Sequence, residues 1–343
     1  MADSWEQWFG DLRSLLNARS LTDEQREQLW QLAETAFAHD EHRVEAEWWT
    51  YMERYPQHFA RPLKTWKTMD ELAHAVRVLP LALWALDLST TPARDDWSFR
   101  PERVKQLFEN SDLSRVATLH LNGTRFYEQG AEQLAASPHL TALQELHLYG
   151  NHIGVQGITS IALAAHIPKL EKLNLSRNSI TNEGVAVMLE HAMTRDLRYL
   201  SLAGNGLDDD AMQMVASSPQ VEKLETLRLG DNTIGADGIA ALASSPHLSK
   251  LELFDASENS IGDDGAIAIA SSESMRNLVH LDLLKSGIGE AGAIALANAT
   301  QMTKLRVLKL RYNAIGEAGA KALASAPHLP DSVRAQFADQ DAF

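Results

Sequence analysis

Residues 143–153 read LQELHLYGNHI, with leucine at 143, 146 and 148, asparagine at 151 and isoleucine at 153. The same spacing, L-x-x-L-x-L-x-x-N-x-I, returns every 27 residues, and the asparagine slot falls on Asn151, Asn178, Asn205, Asn232, Asn259, Ser286 and Asn313. One period earlier Thr124 holds that slot in VATLHLNGTRF. Eight copies in register, without insertion, mark a stack of short strand–turn–helix units. One such unit cannot bury its apolar side alone and needs its neighbours.

Each position of the unit has a physical reading. Leu143, Leu146 and Leu148 point into a core, so their equivalents form apolar ladders along the stack. The asparagine carboxamide is suited to the free backbone groups of the turn that leaves the strand. Ile153 turns back into the core, and Gly154 permits a tight bend. Gly157, Gly184, Gly238, Gly265, Gly292 and Gly319 open the helical leg where backbones pack closely, and Ala211 stands there once. Each helix turns in one bulky residue: Leu134, Ile161, Met188, Val215, Leu242, Ile269, Leu296 or Leu323. Pro138, Pro219, Pro246 and Pro327 stop four of the helices, because proline cannot continue the backbone ladder.

Outside the regular copies the composition changes. All eight tryptophans precede Phe99. Residues 1–80 read as an all-α, Trp-rich cap domain, with capping-box signatures at Ser4/Gln7 and Thr22/Gln25. The stretch 81–112 reads as an atypical capping repeat, with Leu83, Leu86 and Leu88 on its strand and a helix over 101–109. The eight repeats occupy 113–329, and 330–343 form a polar-faced C-terminal cap. A cap is expected because a terminal repeat would otherwise expose apolar surface and a strand edge.

Composition excludes several function classes. With 46 acidic against 31 basic residues the formal charge is −15, which argues against nucleic acid and anionic membrane, both of which demand basic surfaces. There is no cysteine, so no disulfide framework and no thiolate metal site. The opening MADSWEQWFGDLRS lacks the basic and apolar regions of a secretory signal. No apolar run reaches the roughly 20 residues of a membrane span. These features predict a cytoplasmic, monomeric, acidic protein.

The pattern L-x-x-L-x-L-x-x-N-x-I-G-x-x-G-A-x-A-L-A, nearly complete in residues 305–324, resembles the ribonuclease-inhibitor-like leucine-rich repeats. Such repeats also occur in the sensor arms of NOD-like receptors and in the Ran GTPase-activating protein. The resemblance implies an α/β horseshoe with a parallel sheet inside and helices outside, whose concave face recognises another protein. The 27-residue unit is slightly shorter than the inhibitor's alternating repeats, and the inhibitor's cysteines are missing. A GTPase regulator of the Ran-activator type is the alternative the resemblance implies, and a scaffold acting through residues 1–80 a second.

The alternation places three rows on the open sheet face. The central row runs His120, His147, Asn174, Ser201, Arg228, Asp255, Asp282, Lys309. Beside it run Asn122, Tyr149, Ser176, Ala203, Gly230, Ser257, Leu284, Arg311, then Gly123, Gly150, Arg177, Gly204, Asp231, Glu258, Lys285, Tyr312. Row neighbours are about 4.8 Å apart, the strand spacing. The candidate binding residues are Tyr149, Arg177, Tyr199, Arg228, Asp231, Asp255, Glu258, Asp282, Leu284, Lys285, Lys309, Arg311 and Tyr312. The acids predict a basic protein partner, with Leu253, Leu284, Val307 and Tyr312 as apolar anchors. The same charges also read as a self-compensating ladder on a solvated sheet.

No catalytic site, metal site or cofactor is expected. The Asp255/Asp282 pair has a glycosidase-like separation, but no cleft motif accompanies it and neighbouring cations keep both ionised. His39-Asp-Glu-His42 lacks further ligands, and Asp208–Asp210 lacks the ligand spacing of a calcium loop. His120 and His147 read as a stacked surface pair. The chain therefore reads as a non-enzymatic recognition protein.

Overall fold

The computed structural model describes residues 85–87, 105, 108, 109, 113, 114, 116–167 and 170–338. The Trp-rich region 1–80 and most of 81–112 lie outside these residues. The chain divides into two compact units, one reaching Leu121 and including 136–143, the other made of 122–135 and the chain from Gln144 onward.

In the first unit, strand β1 (Ala85–Asp87) pairs in parallel with β2 (Thr118–His120), Leu86 lying opposite Leu119. Leu113, Val116, Leu119, Leu121 and Leu140 are buried with Phe108. The Ser137 hydroxyl donates to the Phe108 carbonyl at 2.9 Å.

Helix α1 (Tyr127–Ala136) belongs to the second unit up to Ala135. There the order is β3 (Glu145–His147), α2 (Gly154–Leu163), β4 (Lys172–Asn174), α3 (Thr181–Glu190), β5 (Tyr199–Ser201), α4 (Asp209–Ser217), β6 (Thr226–Arg228), α5 (Ala236–Ser244), β7 (Leu253–Asp255), α6 (Gly262–Ser271), β8 (His280–Asp282), α7 (Glu290–Ala297), β9 (Val307–Lys309) and α8 (Gly316–Ser325). Strands β3 to β9 pair in parallel in that order, each residue opposite the one 27 positions on: Leu146 with Leu173, Leu200 with Leu227, Phe254 with Leu281. The register never slips, because a shift of one residue would turn the buried leucines to solvent.

Strands of three residues and helices of eight to ten are too short to persist alone. They hold through the shared apolar layer. Leu146, Leu173, Leu200, Leu227, Phe254, Leu281 and Leu308 are at most 2% exposed, as are Ile161, Met188, Val215, Leu242, Ile269 and Leu323 from the helices. Burying each such side chain is worth about 1.5–3 kcal/mol. Glycine at the helix start permits this approach: a Cβ on Gly184 would lie 2.5 Å from Ile180 Cγ2 and 3.0 Å from Ile158 Cγ2.

The asparagines form a buried hydrogen-bond ladder. Asn205 Oδ1 accepts from the Asn178 and Ile180 amides at 3.0 and 3.1 Å, and its Nδ2 donates to the Leu175 and Leu202 carbonyls at 3.0 and 2.9 Å. Each rung thus ties one turn to the turn before it. At 286 the rung is serine, whose hydroxyl donates to the Ala256 and Leu284 carbonyls at 3.3 and 3.1 Å. The amides of Asn259 and Ile261, whose counterparts end on a carboxamide oxygen in most other units, as Asn205 and Leu207 do on Asn232, have no such acceptor among the described residues.

Acids join the helix starts. Asp208 caps its own helix, accepting from the Asp210 amide at 3.0 Å. Asp209 Oδ1 reaches the next unit and accepts from the Gly235 amide at 2.6 Å. Asp263 does the same for the Gly289 and Gly292 amides at 2.6 and 2.9 Å. These acids hold helix N-termini, where the peptide dipoles favour negative charge. At the far end α9 (Asp331–Arg334) and a 3₁₀ turn (Ala335–Phe337) bury Val333 and Phe337 beside α8.

Candidate functional site

Alternation along β3 to β9 leaves one face of the sheet open. The central row is Arg228, Asp255, Asp282 and Lys309 in direct register. Two residues earlier on the same face, separated by a buried leucine or phenylalanine, stand Tyr199, Thr226, Leu253, His280 and Val307, also in register. Tyr149, Arg177, Asp231, Glu258, Lys285, Lys309, Arg311 and Tyr312 are exposed, Tyr312 at 74%. Tyr199, Arg228, Leu253, Asp255, Leu284 and Val307 are half-buried. Asp282, expected as an exposed acid, is buried at 9%, because Lys309 lies over it, Nζ to Oδ2 2.7 Å.

The charges are matched on the face itself. Glu258 takes Lys285 at 3.1 Å. Asp231 takes Arg177 at 3.5 Å, reaching across two repeats. That reach depends on Gly204 between them, where a Cβ would lie 2.8 Å from Arg177 Cγ and 3.4 Å from Asp231 Oδ2. Arg177 and Arg311 each lie 5.9 Å from a tyrosine ring, those of Tyr149 and Tyr312. Asp255 Oδ1 is held by its own turn, accepting from the Ser257 amide at 3.1 Å and hydroxyl at 2.6 Å. Three of the four acids are thus already neutralised by cations of the protein. A basic partner would have to displace those cations or settle on Asp255.

Arg228 differs from the rest. Its Nε is buried without a hydrogen-bond partner, and the arginine stands in no ion pair among the described residues. It lines a hollow of about 310 Å³ with Tyr149, Asn174, Tyr199, Ser201 and Asp255. A second hollow of about 480 Å³, bounded by Lys285 and Gly287, shares Asp231 and Glu258 with the first.

Toward β3 the Glu145 carboxyl is pulled down to about 2, first by its hydrogen bond to His147, against burial, and then by Lys172. His147 Nε2 lies 3.9 Å from that carboxylate. His280 is held below the ordinary imidazole value, chiefly by burial and next by Lys309.

The outer row carries a feature the sequence reading missed. Arg177, Asp231, Glu258, Lys285 and Tyr312 have φ between 51° and 61°. Glycine fills the same slot at 123, 150 and 204, with φ of 66° to 68°. The row therefore lies on a left-handed turn rather than on the strand. The signal was present in the sequence, as three glycines in one column. His280, set between Leu253 and Val307, was also missed, although it stands six residues before the Ser286 slot.

Against known families, the one described as Leucine Rich repeat matches seven segments: residues 139–162, 166–189, 195–216, 222–243, 244–270, 274–297 and 301–324. The chain is a leucine-rich-repeat protein. Among solved structures, this leucine-rich-repeat chain is similar to the yeast Rad7–Elc1 complex at 19% identity and a TM-score of 0.54, covering 76% of this chain and 65% of that one. It is also similar to an internalin from Listeria monocytogenes, at 19% identity and a TM-score of 0.43, over 78% of this chain and 76% of the internalin. Identities of this size speak to the fold alone. No curated protein matches the sequence.

Proposed function

We propose that this leucine-rich-repeat protein is a recognition module that grips a partner protein on the open face of its sheet, without catalysis. Stacked repeats offer extended surfaces of this kind. The observation that carries the reading is the outer row. Of the ten non-glycine residues that hold a left-handed backbone among the described residues, five lie in this row, in a conformation that glycine fits without cost and that other residues occupy at roughly 1–2 kcal/mol each. The fold accepts glycine at 123, 150 and 204, so stability does not explain Arg177, Asp231, Glu258, Lys285 and Tyr312. Strain retained on an exposed surface points to contacts made there. Beside this row lie the apolar groups an interface uses as anchors, Tyr149, Tyr199, Leu253, Leu284 and Val307.

The test takes the partner captured by the full-length chain and follows its binding kinetics. Truncating an anchor acts mainly on dissociation and costs roughly 2 kcal/mol or more at a hot spot. Tyr312→Ala and Leu284→Ala should therefore release the partner faster. If both leave the kinetics unchanged while Leu163→Ser on helix α2 abolishes binding, the sheet face is not the site.

A further inference from the structure

Within that sheet-face reading, on which this inference rests, Arg228 stands on the sheet in no ion pair among the described residues, with its Nε buried and without a hydrogen-bond partner. Its neighbours in register are Ser201 on β5 and Asp255 on β7. Ser201 is engaged with the Ser176 hydroxyl at 2.7 Å. Asp255 Oδ1 is turned along its own strand by Ser257. Guanidinium has five donors in a planar fork, matched to a carboxylate, and leaving a donor buried without a partner costs about 1–3 kcal/mol. Tyr149 and Tyr199 line the same open hollow as Arg228, so a carboxylate seated there would lie beside apolar ring surface, where a charge pair is stronger than in bulk water.

We infer that the partner presents an acidic side chain, aspartate or glutamate, which seats on Arg228 between Tyr149 and Tyr199. The incoming carboxylate supplies acceptors to the Arg228 fork, whose Nε has none, and the sense is opposite to that expected from the chain's own negative charge. Asp255 works against the contact, because its free oxygen is a like charge about one strand spacing away, roughly 4.8 Å. That gives the inference a distinctive sign. Removing the Asp255 charge should tighten binding of an acidic segment, whereas a basic partner would lose its one unneutralised anchor there.

A random peptide library displayed on phage, selected against the full-length chain, tests this directly. Selected peptides should share one aspartate or glutamate. Replacing that acid by its amide should weaken binding roughly tenfold or more, as loss of a charge-assisted bidentate contact. On Arg228→Gln protein the same replacement should make no difference, and Asp255→Asn should tighten the acidic peptide. Arg228→Lys, which keeps the charge and loses the fork, should recover only part of the affinity. Peptides that bind the sheet face, judged by loss on Tyr312→Ala, but carry no required acid would overturn the acidic contact and leave the sheet-face reading standing. Peptides lost only on Leu163→Ser would overturn both. A library that yields no binder, or an Asp255→Asn change that weakens binding, counts against the inference.

Discussion

Ser286→Asn should stabilise the protein. In every other rung of the regular ladder beyond Asn151 the carboxamide oxygen takes a backbone amide two residues past the preceding rung, as Asn313 takes Ile288 at 3.0 Å and Asn205 takes Ile180 at 3.1 Å. The serine hydroxyl does not reach back, so Asn259 and Ile261 are left without that acceptor. Two amides regained at a net 0.5–1.5 kcal/mol each give about 1–3 kcal/mol. Ordering the longer side chain offsets up to roughly 1 kcal/mol of it. The donors are not lost, since Nδ2 replaces the hydroxyl toward the Ala256 and Leu284 carbonyls. A net gain of about 1–2 kcal/mol follows. Chemical denaturation reads the total, and amide hydrogen exchange reads the place: Asn259 and Ile261 should exchange more slowly, while amides before 205 should not change, because repeats contact only their neighbours. Asn205→Ser should lose a comparable amount. If Ser286→Asn destabilises the chain, or stabilises it without slowing those two amides, the ladder argument is wrong.

Other expectations follow from the same geometry. Leu227→Ala, at a fully buried position, should cost about 2–5 kcal/mol, whereas Arg228→Ala, which removes a half-buried side chain whose Nε has no partner, should cost far less or nothing; equal losses in denaturation midpoints would contradict the strand phase. Gly204→Ala should be destabilising by about 1–2 kcal/mol through its positive φ, and a crystal structure should show the Arg177–Asp231 pair broken. Asp263→Ala leaves two helix-start amides uncapped and should cost about 0.5–2 kcal/mol, read as loss of thermal stability together with faster exchange at Gly289 and Gly292. Burial holds His166 and His328 below the ordinary imidazole value of 6.5, so the unfolded chain binds protons first as the pH falls. Their contribution is present above 6.5 and is lost below it. Stability should therefore drop between about pH 7 and pH 5, and less steeply in the His166→Gln, His328→Gln double variant.

The fold was legible because the 27-residue period overdetermines it. Each leucine of the column is repeated with the same role, and one copy in register confirms the next. The central row was legible for the same reason, since alternation and period together fix which residues are neighbours. What the side chains do on that face was not legible. Asp282 reads as exposed in the alternation, but its burial depends on how far Lys309 reaches. Arg177 and Asp231 stand two repeats apart, and their pairing depends on the absence of a side chain at Gly204. That Arg228 remains unpaired beside Asp255 follows from Ser257 holding the carboxylate, a contact within one turn that no column of the repeat announces. Asp208 caps its own helix, whereas Asp209 and Asp263 bind the following unit. That role depends on the spacing between helices rather than on sequence.

The most direct test of recognition by the sheet face is site-specific photo-crosslinking in the native cell. A photoreactive phenylalanine analogue replaces Tyr149 or Tyr312 on the sheet side, or Leu163 or Ile267 on the helices, all four exposed. The account predicts one and the same protein crosslinked from Tyr149 and Tyr312 and none from Leu163 or Ile267. A partner crosslinked from the helices and absent from both tyrosine positions would contradict it.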